Sequence, residues 1–386
     1  MTDVIIAGIG QTPVGEHWDI SLRDLANTAI QAALEDAGHL RPQALYVGNM
    51  LAPNLSNQAH LGALLADYSG LVGIEASSVE AAGASGGAAL RQGFIAVASG
   101  MVDSALVIGV EKFTDRIGAG VEHALGTTGD SDFEAVQGLT LSAQAALLAR
   151  RYMHEYGVPT DGFAGFALTA HQNGATNPNA MFRKAIKADT YAKAEMVTDP
   201  LNLFDIAPTA DGGAAVLLTR RELLPGDFAH PLVKIAGSAT SADTLALHDR
   251  ADLLGFQAAR ISTQQALKKA ELTLDAIDFF EYHDAFSIYA ALSLEAAGFA
   301  TTGRGWVLAR DGAISLGGQI PCSTFGGLKA RGFPGGATGV YQTVEAVLQL
   351  RGEAKANQVK DAHIGMVQSL GGPASTAVTH ILRSVD

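Results

Sequence analysis

The stretch SSVEAAGASGGAALRQG, residues 77–93, holds the first pattern that could support chemistry. Its left part is rich in small and β-compatible residues and predicts a strand at Val79–Ala82, and from Ser85 on it reads as the start of a helix. The dipole and free N–H groups of a helix N-terminus lower the pKa of a thiol placed there. The junction residue is Gly83, which has no reactive group. The same N–H groups can still bind an oxyanion or a thioester carbonyl, and Gly86 permits close approach to a neighbouring helix or a ligand.

A second pattern, HDAF, places His283 and Asp284 directly after the strand-like run Phe279–Tyr282. A histidine at the end of such a strand can donate a hydrogen bond to a developing oxyanion. The alternative is a histidine that only hydrogen-bonds the core. Because side chains alternate along a strand, we expect Tyr282 to point to the face opposite His283.

Other reactive side chains are scarce along the chain. Phe333, in the sequence GFP, cannot accept or donate a proton, and the hydroxyl of Ser369, in QSLGG, is a poor acid or base near neutral pH. Cys322 is the only cysteine, which excludes an intrachain disulfide and metal sites built from several thiolates. A lone cysteine is more often a small buried hydrophobe than a nucleophile, so we expect Cys322 in the core.

The elements that must position these residues alternate between strand-like and helix-like runs through the whole chain. This alternation predicts an α/β protein with a parallel or mixed sheet. A glycine-rich turn that leads into a helix occurs twice, at 83–87 and at 326–339, and an apolar strand follows each time, at 104–110 and at 363–367. A duplicated unit is the economical interpretation, with an unduplicated two-domain protein as the alternative.

The composition changes over residues 114–208, which read as helices and loops and are too long for a simple connection. We therefore predict an N-terminal half at 1–113 plus 209–228, an inserted loop or lid domain at 114–208, and a C-terminal half at 229–386. Within the insertion, the short basic run around Lys184 and Lys187 is more typical of a solvated loop, although an anionic ligand could use it.

The chain has 39 acidic and 26 basic residues, giving a formal charge of −13. Such a chain repels nucleic acid and anionic membranes, so neither is an expected partner. No apolar run reaches the roughly 18 residues of a membrane span. The N-terminal strand VIIAGIG has no basic segment before it, and a cytoplasmic location is the resulting expectation.

Five stretches in this order resemble the thiolases: VEAAGASGGAAL, PTADGGAAV, HDAF, GGLKARGFPGGATG and QSLGGPAS. The HDAF form resembles the sterol-carrier-protein-associated and archaeal type, the acetyl-CoA acetyltransferase-like thiolases. The resemblance implies a five-layer α-β-α-β-α thiolase fold from two similar halves, acyl-CoA as the substrate, and a homodimer or homotetramer. It implies no metal and no cofactor apart from CoA as part of the substrate.

Carried over residue by residue, the resemblance puts the nucleophilic cysteine at Gly83, the activating histidine of a GHP motif at Phe333, and the proton-shuttling cysteine at Ser369. The histidine that helps to hold the thioester oxyanion corresponds to His283. The resemblance thus leaves one of four catalytic groups in place. The positions that we expect to contact the substrate are Ser85, Gly86, Asp284, Gly371 and Gly372.

Several functions remain open from these residues. The first is non-covalent C–C bond chemistry of retro-aldol type, in which a base and an acceptor for enolate charge suffice without a thiol; Tyr282 and Tyr341 are candidates to assist it. The second is a non-catalytic acyl-CoA-binding or scaffold subunit. The third treats Gly83 as a single change in an ordinary acetyltransferase. Relatives of this type also pair with a small zinc-ribbon and OB-fold protein, which is a further expected partner.

Overall fold

The computed structural model describes residues 3–385. Across these residues the strands are β1 Val4–Gln11, β2 Ala44–Gly48, β3 Glu75–Val79, β4 Ser104–Glu111, β5 Met196–Thr198, β6 Leu201–Asn202, β7 Gly212–Arg220, β8 Leu232–Ala242, β9 Phe279–Glu281, β10 Ile364–Gly371 and β11 Thr376–Val385. The helices are α1 Leu22–Asp36, α2 Ala52–Leu55, α3 Leu61–Tyr68, α4 Ser85–Ala98, α5 Ala119–Gly126, α6 Leu141–Tyr156, α7 Ala164–Gly174, α8 Ala188–Ala192, α9 Gln257–Ala270, α10 Ser287–Ala297, α11 Gly305–Arg310 and α12 Thr338–Arg351.

The strand order shows the same plan twice. It runs β3-β2-β4-β7-β1-β8-β11-β10-β9. In the first half β2 is parallel to β4, β4 is antiparallel to β7, and β7 is antiparallel to β1. In the second half β9 is parallel to β10, β10 is antiparallel to β11, and β11 is antiparallel to β8. The two halves meet where Ile5 of β1 pairs with Lys234 of β8. The predicted α/β fold from two duplicated halves is confirmed.

The helices form layers on both sides of these strands. Helix α1 packs on β1 and β7, and α9 packs on β8 and β11. Helices α4 and α12 pack on each other and contact strands of both halves. The resulting order is α, β, α, β, α. Because α12 lies in the middle layer, it is buried along almost its whole length, whereas α1 buries one stripe.

Local sequence explains where α1 begins. The Ser21 side chain accepts from the backbone N–H of Asp24, and the Asp24 carboxylate accepts from the backbone N–H of Ser21. This reciprocal cap satisfies two N–H groups that the helix itself leaves without partners. Apolar residues at helical spacing then form the buried stripe, namely Leu22, Leu25, Ala26, Ala29, Ile30 and Ala33.

One predicted strand lies elsewhere. The expected run Val79–Ala82 is instead strand β3 at Glu75–Val79, and residues 82–84 form a 3-10 turn that leads into α4. Strand β3 pairs only with β2 and has the sequence EASSV, which is mostly exposed. An edge strand with little buried apolar surface lacks the alternating pattern by which strands are recognised. The strand was therefore predicted at the more apolar residues that follow it.

The stretch 114–208 holds helices α5 to α8 and the short β5–β6 hairpin before the chain returns to the sheet in β7. The proposed domain boundaries stay a prediction. Within residues 3–385 there is no helix with the length and apolar character needed to cross a membrane. The same residues contain no group of three or more His, Cys, Asp or Glu side chains placed to hold a metal ion.

Candidate functional site

A cavity of about 260 Å³ lies where the two halves and the 114–208 stretch meet. It brings together four positions singled out in the sequence: Gly83, His283, Phe333 and Gly372. Its other lining residues are Met50, Glu122, Leu125, Thr128, Leu141, Ser142, Val197, Ile206, Ala207, Thr209, Ala285, Phe286, Tyr289 and Leu370. Most of these side chains are apolar, which is typical of a small-molecule site with a few placed polar groups.

Gly83 sits in the 3-10 turn directly before α4, and it is buried. A Cβ atom on this residue would lie 2.7 Å from the carbonyl oxygen of Leu370 and 3.0 Å from Cε1 of His283. Both distances are shorter than ordinary van der Waals contact. The position expected to carry a nucleophile therefore faces His283, and its neighbours lie closer than an added Cβ atom would normally allow.

His283 lies on the loop between β9 and α10 with 3% of its surface exposed. Among residues 3–385 its Nδ1 atom has no hydrogen-bond partner. Burial, together with the nearby charge of Arg331, lowers the pKa of His283 from 6.5 to about 3. The imidazole is therefore neutral near pH 7, and a neutral imidazole can donate one hydrogen bond and accept another.

Phe333 presents an apolar face to this histidine. The two rings are 5.5 Å apart in a nearly perpendicular arrangement, and the ring of Phe113 lies 6.4 Å from Phe333 on another side. The backbone N–H of Phe333 donates to the carbonyl of Pro208, which fixes the turn. A side chain without acid–base capacity thus lines the cavity beside His283.

Ser369 does not line the cavity. Its hydroxyl donates to Oε1 of Gln342 at 3.2 Å and lies close to Gly87, on the side where α4 and α12 pack. Its neighbour Leu370 faces the cavity instead. Because successive side chains of a strand point to opposite faces, β10 can offer one of these two side chains to the cavity, and that one is leucine.

The glycine-rich start of α4 is used for packing. The Ser85 hydroxyl accepts from the N–H of Ala81 and donates to the carbonyl of Ala82, so it closes the turn. A Cβ on Gly86 would lie 2.8 Å from the carbonyl oxygen of Gly336, which shows how closely α4 approaches the second glycine-rich turn. Neither residue lines the cavity.

Two other predicted contact residues, Asp284 and Gly371, hold neighbouring segments of the site together. The Asp284 carboxylate is buried and accepts from the N–H of Leu328 at 2.7 Å, holding the second glycine-rich turn against the HDAF loop. A Cβ on Gly371 would lie 2.6 Å from the carbonyl oxygen of Ala81. This close approach keeps the end of β10 next to the turn that contains Gly83.

The remaining candidates lie in the core. Tyr282 packs edge-on against Phe280, and the hydroxyl of Tyr341 donates to the carbonyl of Thr12. Cys322 is fully buried, and burial raises the pKa of its thiol well above the usual value. None of the three lines the cavity. Tyr282 packs on Phe280 while His283 lines the cavity, but both residues follow the end of β9, so strand alternation does not apply to them.

Sequence reasoning missed Tyr289, the tyrosine that does reach the cavity. It lies on α10, and its buried hydroxyl has no hydrogen-bond partner in the part of the chain that the structure describes. Burial raises the pKa of this hydroxyl, so it stays protonated and can donate to a ligand. The available signal was helical spacing: Phe286 and Tyr289 are three residues apart at the start of α10, and residues at this spacing share a helix face.

Buried charges lie beneath the cavity. Nη1 of Arg331 donates to Oε2 of Glu345 at 2.9 Å, and both side chains are almost fully buried. Desolvation raises the pKa of Glu345 to about 8. The guanidinium also acts on His283 from this position and favours the neutral imidazole. Arg331, which belongs to the second glycine-rich turn, therefore helps to keep the His283 imidazole neutral.

These features define a class: an α/β protein of two repeated halves with a largely apolar cavity, in which a neutral histidine faces an empty helix-start position. The family model described as "Thiolase, N-terminal domain" matches residues 4–222, and the one described as "Thiolase C-terminal domain-like" matches residues 239–384. The chain belongs to the thiolase family.

Individual relatives point to two kinds of chemistry. An acetyl-CoA acetyltransferase of Methanothermobacter thermautotrophicus is 43% identical, with 99% of each chain covered. A steroid side-chain-cleaving aldolase of Thermomonospora curvata is 30% identical, with 89% of each chain covered. The solved structure of the Ltp2-ChsH2(DUF35) aldolase superposes with a TM-score of 0.84 at 26% identity and covers 99% of this chain and 98% of its own.

Proposed function

We propose that this protein binds acyl-CoA esters and breaks or forms a C–C bond beside the thioester without a covalent acyl-enzyme. The observation that carries the proposal is the cavity itself. None of the described residues that line it has a thiol, and the position facing His283 is a glycine, on which a Cβ atom would lie only 2.7 Å from the carbonyl oxygen of Leu370. A thioester with the protein cannot form at Gly83, because glycine has no nucleophilic group.

Retro-aldol cleavage of a β-hydroxyacyl-CoA fits the groups that remain. A base removes the proton of the β-hydroxyl, the Cα–Cβ bond breaks, and a carbonyl compound leaves while the electron pair moves onto the thioester as an enolate. Protonation of the α-carbon then gives the shortened acyl-CoA. In the proposed reaction the N–H of neutral His283 donates a hydrogen bond to the enolate oxygen, because a preorganised donor stabilises such charge.

Two further groups in the lining have matching roles. Glu122 places a carboxylate in the lining of the cavity. In the proposed reaction it is the base that removes the proton of the β-hydroxyl. The protonated hydroxyl of Tyr289 can donate to the oxygen of the leaving carbonyl. The names of two relatives, a side-chain-cleaving aldolase and the Ltp2-ChsH2(DUF35) aldolase, support this type of reaction, whereas the acetyltransferase relative represents the covalent alternative.

The assay is incubation of the purified protein with β-hydroxyacyl-CoA esters, followed by detection of acetyl-CoA or propionyl-CoA and a carbonyl product. We expect release that His283→Ala and Glu122→Gln both reduce by at least about tenfold. Release at the same rate from wild type and His283→Ala would remove the proposal. Because the solved Ltp2 structure contains a second protein, ChsH2(DUF35), the assay is run with and without a partner.

We propose a DUF35-type protein as that partner, in line with the zinc-ribbon and OB-fold partner expected from the sequence. The supporting observation is the relative whose solved structure contains Ltp2 together with ChsH2(DUF35). We also propose a homodimer or homotetramer. Light scattering after size-exclusion chromatography, with and without the co-expressed partner, tests both assemblies.

A non-catalytic acyl-CoA-binding or scaffold subunit is the second candidate. Phe333 beside His283, and the orientation of Ser369 away from the cavity, favour it, because neither position supplies a base. Calorimetry with acetyl-CoA and longer acyl-CoAs separates the candidates. Tight binding without turnover, in the presence of the partner, supports the scaffold. Absence of binding to every ester would argue for a purely structural role.

A further inference from the structure

A second cavity, of about 440 Å³, lies next to the one at His283 and has no part in the proposed reaction. The two cavities share three lining residues, Val197, Ile206 and Ala207. We refer to the second cavity as the basic chamber. Its full lining is His171, Phe182, Lys184, Ile186, Val197, Leu203, Phe204, Ile206, Ala207, Pro208 and Lys329.

The basic chamber combines apolar walls with positive charge. Eight of its lining residues are apolar, three are Lys or His, and none is acidic. At its outer end lie exposed residues, including Phe182, Lys184 and Leu203. At its inner end lie the buried residues His171 and Lys329. A ligand that enters from solvent therefore passes one lysine and ends at another.

Lys329 is the unusual residue of this chamber. It is 2% exposed, and none of the ion pairs formed within residues 3–385 includes it. Its ammonium group donates to the backbone carbonyl of Asp205 at 2.7 Å. An ammonium group has three donors, and among residues 3–385 this carbonyl is the one acceptor that it reaches. A buried cation is normally paired with an anion, because desolvation of an unpaired charge is expensive.

The nearest carboxylates are already engaged. Asp284 accepts from the N–H of Leu328, and Asp205 accepts from the hydroxyl of Tyr191 and the N–H of Asn202. Both act on Lys329 at longer range and partly offset the effect of burial, which lowers the pKa of Lys329 to about 8. The ammonium is thus left with free donors at the inner end of an apolar cavity.

We propose that the basic chamber binds an apolar carboxylate, with its hydrocarbon part between Phe204 and Ile206 and its carboxylate on the Lys329 ammonium. The ligand can be a free acid or the distal end of an acyl-CoA whose acyl chain carries a second carboxylate. The apolar walls favour burial of the hydrocarbon, at about 0.8 kcal/mol for each buried CH₂. The charge-assisted hydrogen bond provides selectivity for an anion.

Calorimetric titration with decanoate, decanol and decylamine tests the chamber without any turnover, so its result is independent of the chemistry at His283. We expect decanoate to bind at least about tenfold more tightly than decanol, and decylamine to bind least. Lys329→Met should remove the preference for decanoate. The control is Lys193→Met, which removes an exposed lysine of the 114–208 stretch that does not line the chamber. This variant should keep the preference for decanoate.

A second variant covers the case in which Lys329→Met does not fold. Leu203 is 58% exposed at the outer end of the chamber, so Leu203→Trp narrows the entrance with little effect on the core. It should weaken decanoate binding while the titration with acetyl-CoA stays unchanged. Equal affinities for decanoate and decanol in the wild type, or unchanged decanoate binding in Lys329→Met, would overturn the proposal.

Two CoA esters distinguish the sources of the carboxylate. The acyl chain of suberyl-CoA ends in a distal carboxylate. Octanoyl-CoA has an acyl chain of the same length that carries no charge. Tighter binding of suberyl-CoA that depends on Lys329 identifies the distal end of the substrate as the ligand. Lys329-dependent binding of decanoate alone identifies a free acid. If neither compound binds in a manner that depends on Lys329, the chamber is not a carboxylate site.

Discussion

Gly83 and His283 face each other across the end of the cavity, and a Cβ atom on the glycine would lie 3.0 Å from Cε1 of the imidazole. The histidine belongs to the second half of the fold and the glycine to the first. Their juxtaposition therefore depends on the packing of the two halves. It leaves a neutral imidazole beside a helix start that has no nucleophile, and this arrangement is the basis of the proposed non-covalent chemistry.

Restoring a cysteine alone should not restore acyl transfer. In Gly83→Cys the new Cβ would lie 2.7 Å from the carbonyl oxygen of Leu370, and Phe333 cannot activate the thiol. We expect no acetylated protein in a mass spectrum after incubation with acetyl-CoA. The double variant Gly83→Cys with Phe333→His should give detectable acetylation, because a histidine then can take the thiol proton.

The steric part of this prediction has its own control. Gly83→Ala adds only the Cβ atom, and relief of its contacts should reduce the free energy of unfolding by about 1–3 kcal/mol. Urea denaturation measures the change. Efficient acetylation of the single cysteine variant would contradict the expectation and would support the interpretation of Gly83 as an isolated change in an ordinary acetyltransferase.

His283 should remain neutral over most of the acid range. Its pKa is lowered from 6.5 to about 3, so between these values the unfolded chain binds a proton that the folded chain does not. The contribution of His283 therefore makes the free energy of unfolding fall as the pH drops from about 6.5 to about 3, and leaves it constant above pH 6.5. NMR titration of the imidazole carbons follows this directly.

Assignment of the His283 signal comes from its absence in His283→Gln. That variant should also flatten the pH dependence of stability over the same range. An imidazole that titrates near its usual pKa in the folded protein would show that water reaches the cavity more freely than the structure indicates.

Arg331→Met should destabilise the protein strongly. The guanidinium is fully buried and donates to Glu345 at 2.9 Å, so its removal leaves a buried carboxylate without its partner. We expect a loss of about 3–5 kcal/mol in the free energy of unfolding. The double variant Arg331→Met with Glu345→Leu should lose less than the single one, because it leaves no buried carboxyl group without a hydrogen-bond partner.

The same substitution has an effect on the site that a purely structural role would not produce. Because the charge of Arg331 lowers the pKa of His283, Arg331→Met should raise that pKa. The NMR titration described for His283 detects the change. An unaltered pKa in a folded Arg331→Met protein would show that burial alone keeps the imidazole neutral.

Glu111 should be critical for stability, because its carboxylate joins two parts of the fold. Oε1 accepts from Leu51 N–H and from the side-chain amide of Asn49, and Oε2 accepts from Met50 N–H and from Gly336 N–H. In Glu111→Gln one oxygen becomes an NH₂ group that faces two donors. We expect a loss of about 2–4 kcal/mol in the free energy of unfolding, measured by urea denaturation.

The control for this prediction is Glu75→Gln, which makes the same chemical change on an exposed residue of β3. It should change the free energy of unfolding by less than about 0.5 kcal/mol. Similar effects of the two substitutions would mean that the buried hydrogen bonds of Glu111 contribute little.

Most of the fold could be predicted because its signals are local. The buried stripe and capping residues of α1 define that helix within its own sequence, and β4 and β7 are continuous apolar runs. The repeated order of glycine-rich turn, helix and strand indicated the duplication. Strand β3 was misplaced because its residues EASSV carry little apolar pattern, and only its pairing with β2 identifies it.

The site was predicted less completely, because each motif fixes a position in the chain and not the direction of a side chain. Gly83, His283, Phe333 and Gly372 do share a cavity, whereas Ser369 faces the opposite side of β10. Tyr289 belongs to none of the motifs, and its place in the cavity lining depends on how α10 packs.

Residue types and spacing were enough to predict two α/β halves, a position 83 without a nucleophile, and a histidine after β9. These properties depend on residue identity and on short-range periodicity. The packing of the chain was needed to show that His283 is buried and neutral, that Gly83 faces it, and that Lys329 ends in an apolar chamber outside every ion pair of residues 3–385. Burial and charge state arise from contacts between residues far apart in the chain, and no local pattern encodes them.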